Sequence, residues 1–258
     1  MTLEEEKEYW KNFDWEQFDL DTREGVLAYG EKEKERFDFR RRLEEAEYNS
    51  PEKVEERKRK LQEKRNRNIS TCGIGNRYLS VTLSDFQIKL EEQQNVINNI
   101  KQFISHPEGK SLWMVGNAGT GKTMLCAVIC YYLGGRYVKS YEIEDELEMA
   151  RSFSAKENIV EVIKRYSEYR LLIIDEIGKM KSQNENRYLF KILNERYEKE
   201  LPTVLVSNLK KTDLANLLGK PLVDRFNETC KCLEFNWPSF RSNLRNNWDS
   251  KIDEKIFE

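Results

Sequence analysis

The stretch GNAGTGKT, from Gly116 to Thr123, fits the spacing G-x-x-x-x-G-K-[ST] without a mismatch. Glycines at such positions let backbone N–H groups crowd around phosphate oxygens, the lysine reaches the β- and γ-phosphates, and the hydroxyl holds Mg²⁺. Gly116, Asn117, Ala118, Gly119, Thr120 and Gly121 are the expected cradle, with Lys122, Thr123 and Met124 opening the helix that follows. The apolar run SLWMV leads straight into Gly116, and good helix formers follow Lys122. That strand–loop–helix order places the positive end of a helix dipole at the phosphates. ATP with Mg²⁺ is the expected cofactor pair. A glycine-rich turn with no ligand is the alternative for these eight residues alone.

A second apolar run, LLIIDEIG, reads as a buried strand whose C-terminal end delivers Asp175 and Glu176. Ligands of open parallel sheets bind outside such strand ends. Two adjacent carboxylates suit two jobs, Asp175 orienting Mg²⁺ and Glu176 acting as general base on a water. A hydrolase needs that base and a nucleotide switch does not, so the pair favours hydrolysis; a surface role for Glu176 is the alternative. A third strand, TVLVS, ends at Asn208, whose amide suits a γ-phosphate or the attacking water. Taken alone, an Asn after a strand is a turn former.

The order of glycine loop, DE strand, strand-end Asn and the DRF at Asp224 to Phe226 resembles the AAA+ ATPases. More narrowly, RYLSVTLSDF, LLIIDEIG, LLGKPLVDRF and FNWPSFRSNLR are similar to the DnaC-type bacterial replicative helicase loaders, with IstB-type transposition helpers as close relatives. The resemblance covers roughly residues 73 to 248. It implies an α/β P-loop core, a three-layer AAA+ fold with a parallel sheet and a reduced or absent lid. It further implies Asn208 as sensor 1, Arg225 as an arginine finger offered to a neighbouring subunit's ATP, and Arg241 as the sensor 2 arginine. Apart from the resemblance, Arg225 could pair with a surface carboxylate and Arg241 could sit on an ordinary basic helix. One departure is visible: loaders can carry a further arginine just ahead of the DR pair, where this chain has Pro221, and the neighbouring Lys220 lacks the planar fork of arginine. By the same resemblance the function is ATP-dependent loading of a DnaB-type replicative helicase onto single-stranded DNA, with self-association into a ring or spiral. The alternatives are an IstB-like helper that binds duplex DNA, and a non-hydrolysing ATP-dependent DNA-binding adaptor.

Strands that alternate with helices from Asp85 onward imply a mostly parallel sheet covered on both faces. The expected elements are a helix over 86–105, strands at 111–115, 136–140, 171–175, 203–207 and 231–235, and helices at 122–133, 184–199, 211–218 and 220–227. Helical spacing also runs through 141–168. Ahead of these, Tyr78, Leu79, Val81 and Leu83 alternate as in a short extended segment.

Residues 1–70 read as charged helices and the expected partner-binding segment, 71–248 as the ATPase domain, and 249–258 as a tail. YWKNFDWEQFDLDT near the start is acidic and aromatic, and its rings must be buried against their own helices or against another protein. Trp10, Phe13 and Trp15 are candidate anchors for the helicase. The basic run RKRKLQEKRNR at 57–67 and the cations Lys139, Arg151, Lys156, Lys164 and Arg165 are candidate contacts to nucleic-acid phosphates.

Composition sets the outer limits. The 258 residues suit one sizeable domain with an appendage, and 35% charged residues imply much solvated helix surface. With 44 basic and 46 acidic residues the chain lacks a uniformly basic coat. No apolar stretch approaches the roughly 18 residues of a membrane span, and MTLEEEKEYW has neither the basic start nor the apolar run of a signal peptide, so a cytoplasmic location is expected. The five cysteines and the single histidine, His106, lack metal-site spacing, and buried or incidental thiols are expected.

Overall fold

The computed structural model describes residues 1–152, 155–178 and 183–240. The chain divides into two compact units, Met1–Glu63 and Lys64–Glu258.

The first unit contains α1 (Leu3–Lys11), α2 (Arg23–Tyr48) and most of α3 (Pro51–Thr71). Thr2 starts α1 with a reciprocal cap: its hydroxyl accepts from the Glu5 N–H, and the Glu5 carboxylate accepts from the Thr2 N–H. Arg42 on α2 donates to both carboxylate oxygens of Glu6 on α1. The aromatic residues pack on one another: Trp10 lies 5.0 Å from Tyr9 and 5.2 Å from Phe13, and Trp15 lies 4.8 Å from Phe13 and 5.3 Å from Tyr29. Trp10 is 7% exposed, and Phe13 and Trp15 are half-buried. The proposed anchors therefore form the small core of their own unit, because edge-to-face ring packing gives a short segment much of its burial. The exposed apolar residues here are others, among them Leu20, Val26 and Leu27.

The second unit carries the expected α/β core. Its described elements are α4 (Glu91–Ser105), β1 (Ser111–Gly116), α5 (Lys122–Leu133), β2 (Arg136–Lys139), α6 (Ser140–Met149), α7 (Ile159–Glu168), β3 (Leu172–Ile177), α8 (Gln183–Glu198), β4 (Thr203–Ser207), α9 (Lys211–Leu218), α10 (Lys220–Thr229) and β5 (Cys230–Phe235). The five strands are parallel in the order β2-β3-β4-β1-β5. Side chains alternate along each strand, so β1 sends Leu112 and Met114 to one face and Trp113 and Val115 to the other, all buried. The first face packs under α4 and α5 with Ile97, Ile100, Leu125 and Ile129; the second packs under α6 to α10 with Leu147, Tyr166, Leu193, Leu214 and Phe226. Burial on both faces explains why β1, β3 and β4 read as continuous apolar runs.

Three expectations are corrected. The alternating segment before α4 is not extended: it holds single 3₁₀ turns at Asn76–Tyr78 and Leu83–Asp85. The Asp85 carboxylate accepts from both the N–H (2.7 Å) and the hydroxyl (2.8 Å) of Thr82, a local bond that competes with extended structure. The first long helix begins at Glu91 instead of 86, since Gln93 Oε1 accepts from the N–H groups of Lys89 and Leu90 and so caps it there. The helical spacing over 141–168 resolves into two helices, the second started by Asn158 capping Val160 and Glu161. The expected reduced lid, Arg241 and the tail 249–258 lie outside the described residues.

At the sheet edge opposite the glycine loop, Arg196 of α8 is 0% exposed. It donates to Thr203 Oγ1 (2.9 Å) and to the carbonyls of Tyr166, Tyr169 and Pro202 (3.1, 2.7 and 2.8 Å). Burial pushes its pKa down to about 9. The guanidinium fork meets the end of α7 and the start of β4 at once, which a lysine cannot do. Arg196→Lys is expected to destabilise the protein by about 2–4 kcal/mol, because it strands buried carbonyls around a poorly solvated ammonium; urea unfolding followed by circular dichroism measures the loss.

Candidate nucleotide-binding site

Gly116 closes β1 with φ +117°, and a Cβ there would meet the Phe235 carbonyl oxygen at 2.7 Å. Only glycine fits that approach. Beyond it the loop is strapped to the chain after β5. The Asn117 N–H donates to the Phe235 carbonyl (2.9 Å), Trp237 Nε1 donates to the Thr120 carbonyl (3.1 Å), and the Phe240 N–H donates to the Gly119 carbonyl (2.8 Å). Gly121, with φ +101°, turns the chain into α5; a Cβ there would lie 2.7 Å from the Phe86 ring. The side chains at this turn then diverge. Lys122 Nζ donates to the carbonyls of Gly116 (2.7 Å) and Asn117 (2.6 Å), while Thr123 Oγ1 donates to Asp175 Oδ2 (3.0 Å).

Strand β3 presents its carboxylates at an irregularity. Its register against β4 runs Ile174↔Leu205 and then Ile177↔Ser207, so β3 spends one more residue than its partner. Such a bulge re-aims side chains. Glu176 takes it up with φ +60°, a left-handed conformation that costs a non-glycine residue of order 1–3 kcal/mol. The turn is held from both sides: the Glu176 N–H donates to Asp175 Oδ1 (2.7 Å), and Ser140 Oγ donates to the Glu176 carbonyl (2.9 Å). Ser207 Oγ donates to the Ile177 carbonyl (2.6 Å) and accepts from the Leu209 N–H (3.1 Å), fixing the strand ends on either side of Asn208. Asp175 is 6% exposed, and its Oδ2 also accepts from Tyr137 of β2 at 2.7 Å. Burial first, and then the Asp175 charge, hold the Tyr137 phenol far above its ordinary pKa, so it stays a donor.

These pieces enclose one cavity of about 330 Å³, within the range of small-molecule sites. Ala118 to Met124, Asp175, Glu176 and Asn208 all line it. The structure therefore brings together the glycine loop, the DE pair and the strand-end Asn from three separate strands. A glycine cradle with no room for Cβ atoms, a lysine, a hydroxyl and a carboxylate fit a Mg²⁺-nucleotide in their chemistry. The other wall is formed by Arg77, Tyr78, Phe86, Gln87, Trp237 and Phe240, with Phe86 and Trp237 edge-to-face at 6.3 Å. Sequence reasoning missed this wall, although its two contributing segments, RYLSVTLSDF and FNWPSF, are among the stretches that carry the resemblance.

Other candidates lie elsewhere. Arg225 is on α10, outside the cavity lining, with its guanidinium 3.9 Å from Glu198 and over the Tyr197 ring. Among the candidate nucleic-acid contacts, Arg165 is held by Glu146 (2.7 Å) and Glu157 (2.9 Å), whereas Lys58, Arg59 and Lys60 are exposed around α3, each beside a glutamate of the same helix. Cys72, Cys126 and Cys130 are buried free thiols, and Cys230 and Cys232 are half-buried. Among the described residues no helix is long and apolar enough to cross a membrane.

The match to known proteins agrees with this geometry. Residues 35–247 fit the family model described as IstB-like ATP binding protein. The chain is 27% identical over 189 residues to the replicative helicase loader DnaC of Escherichia coli K12, covering 70% of this chain and 77% of that protein. Against the DnaC of Buchnera aphidicola subsp. Schizaphis graminum, identity is 30% over 194 residues, with 70% and 78% covered. The crystal structure of the DnaC helicase loader superposes with a TM-score of 0.54 at 23% identity, over 63% of this chain and all of that one. By the extent of the family match and the ATP-site geometry it encloses, this chain belongs to the family of IstB-like ATP-binding proteins, with an AAA+ P-loop fold.

Proposed function

We propose that this protein is an ATPase that loads a hexameric replicative helicase onto single-stranded DNA. The reading is carried by the convergence of Lys122, Thr123, Asp175, Glu176 and Asn208 on one cavity, in a chain whose relatives are named as helicase loaders. Lys122, already lying along the loop with its ammonium on two carbonyls, would turn to the β- and γ-phosphates. Thr123 and Asp175 would hold Mg²⁺, which when bound neutralises charge on the phosphoryl oxygens. Glu176 would take a proton from the attacking water, its carboxylate aimed by the left-handed turn; Asn208 would orient that water or the γ-phosphate. The aromatic wall at Phe86 and Trp237 suits the base.

Arg225 would complete a neighbouring subunit's site. Its placement outside the cavity agrees with a role in trans, and an exposed pair at 3.9 Å from Glu198 is worth little, so recruiting it costs little. The first unit would contact the helicase through its exposed apolar residues, with the aromatic core supporting that surface. Circular single-stranded DNA with the cognate helicase and ATP is the direct test: the loader reading expects helicase captured on the circle, and capture of duplex DNA with a transposase would turn the assignment to the IstB-like alternative.

Three experiments refine the reading. Glu176→Gln should lower ATP turnover by about 10²–10⁴-fold with nucleotide binding retained; unchanged turnover would sink the hydrolytic assignment and leave a non-hydrolysing adaptor. Arg225→Ala should lower turnover of the assembled protein by about 10³-fold, and mixing it with Lys122→Ala should restore turnover at shared sites; two inactive variants that stay inactive when mixed would argue against a finger in trans. Leu27→Glu, at a position 60% exposed, should weaken helicase binding by about tenfold or more in calorimetry while ATP binding is unaffected.

A further inference from the structure

Strand β2 lies at the edge of the sheet and none of the sequence motifs falls on it, yet it touches a carboxylate that lines the site. Tyr137 pairs with Ile173 across the β2–β3 ladder, so both side chains point to the face covered by α5. Asp175 is two residues beyond Ile173 on that face, diagonal to Tyr137 and within reach of a long side chain. The phenol uses that reach: its hydroxyl donates to Asp175 Oδ2 at 2.7 Å, from a residue only 4% exposed. The same oxygen accepts from Thr123 at 3.0 Å.

We infer that Tyr137 is a positioning residue for the divalent cation of the nucleotide site, acting through Asp175. This inference rests on the reading of Thr123 and Asp175 as the residues that hold that cation. A buried carboxylate needs donors to fill and orient its oxygens, and among the described residues the side-chain donors to Oδ2 are Thr123 and Tyr137. Of these, only Tyr137 has no place in the nucleotide site, so its proton remains available to Asp175 when the Thr123 hydroxyl serves the cation. Partners of this kind fix the rotamer of a ligating carboxylate, and their loss costs 10–100-fold in metal affinity. The aromatic ring contributes separately, filling the cluster beside Ile173 and Cys126. Tyr137→Phe removes the first role and keeps the second.

The test is binding of a fluorescent ATP analogue to the full chain, in EDTA and over a Mg²⁺ titration, for the wild type, Tyr137→Phe and Ile173→Val. Ile173→Val perturbs the packing beside the ring and leaves the hydroxyl. Tyr137→Phe is expected to bind nucleotide in EDTA within twofold of wild type but to need about tenfold more Mg²⁺ for half-maximal effect; Ile173→Val is expected to keep the wild-type midpoint. A Mg²⁺ midpoint for Tyr137→Phe within twofold of a Mg²⁺-responsive wild type overturns the inference and leaves the ATPase reading intact. An equal shift in Ile173→Val also overturns it, by assigning the effect to packing. A wild type that binds nucleotide with no response to Mg²⁺ overturns the cation reading and this inference together. Thermal melts of both variants keep a folding defect from passing as a cation effect: a Tyr137→Phe melt lowered as far as its Mg²⁺ response counts against the inference.

Discussion

One carboxylate oxygen ties the site together. Asp175 Oδ2 collects a hydroxyl from the first turn of α5 and a hydroxyl from β2, while the partner oxygen receives the N–H of the next residue. A charge this buried is tolerable only when its acceptor sites are filled, so the positions of the glycine loop, β3 and β2 are mutually dependent. The topology makes the meeting possible. In a fully parallel sheet every strand ends at the same edge, and the order β2-β3-β4-β1-β5 sets β1, β3 and β4 side by side there. The glycine loop leaves from β1, the DE pair from β3 and Asn208 from β4.

The parts of this that could be read from the sequence are those encoded locally. GNAGTGKT and LLIIDEIG announce their chemistry because the backbone approach and the buried strand each impose residue types on consecutive positions. Continuous apolar runs gave strands β1, β3 and β4 to within two residues, since strands buried on both faces leave no room for alternation. The segment from Tyr78 to Leu83 shows the limit of that logic. Its alternation is compatible with a strand, but Thr82 and Asp85 satisfy each other at a spacing of three residues and draw the chain into turns. Tyr137, Phe86 and Trp237 were not legible for a different reason. Each acts on a partner far along the chain, and no short pattern records that a tyrosine on one strand will lie diagonal to an aspartate on the next. Arg196 belongs to the same class: amid a charged helix it reads as surface, whereas it is the residue that closes the far end of the sheet.

The amino-terminal unit divides its apolar residues between two tasks. Ring packing among Tyr9, Trp10, Phe13, Trp15, Phe18 and Tyr29 gives 63 residues a core that their charged helices could not otherwise supply. Arg36 lies over the Trp15 ring at 5.1 Å and extends that core with its own stem. Leu20, Val26 and Leu27 stay outside it. The aromatic cluster near the start that first suggests a sticky surface is thus mostly structural, and the exposed apolar residues mix aliphatic Leu20, Val26 and Leu27 with the rings of Phe37 and Tyr48.

Helix α8 connects the two chemical ends of the second unit. It starts at Gln183 and ends at Glu198, whose carboxylate lies 3.9 Å from the Arg225 guanidinium. Sixteen residues of α-helix span about 24 Å, so the two ends of α8 are held apart by a nearly fixed length. Arg196 anchors the far end of that helix to the end of α7 and the start of β4 through four hydrogen bonds. A rigid strut pinned at one end passes on any displacement at the other as a whole-body shift, because a packed helix does not shorten. The weak pair between Glu198 and Arg225 is then the compliant element at the surface: it can be exchanged for a stronger acceptor without disturbing the strut.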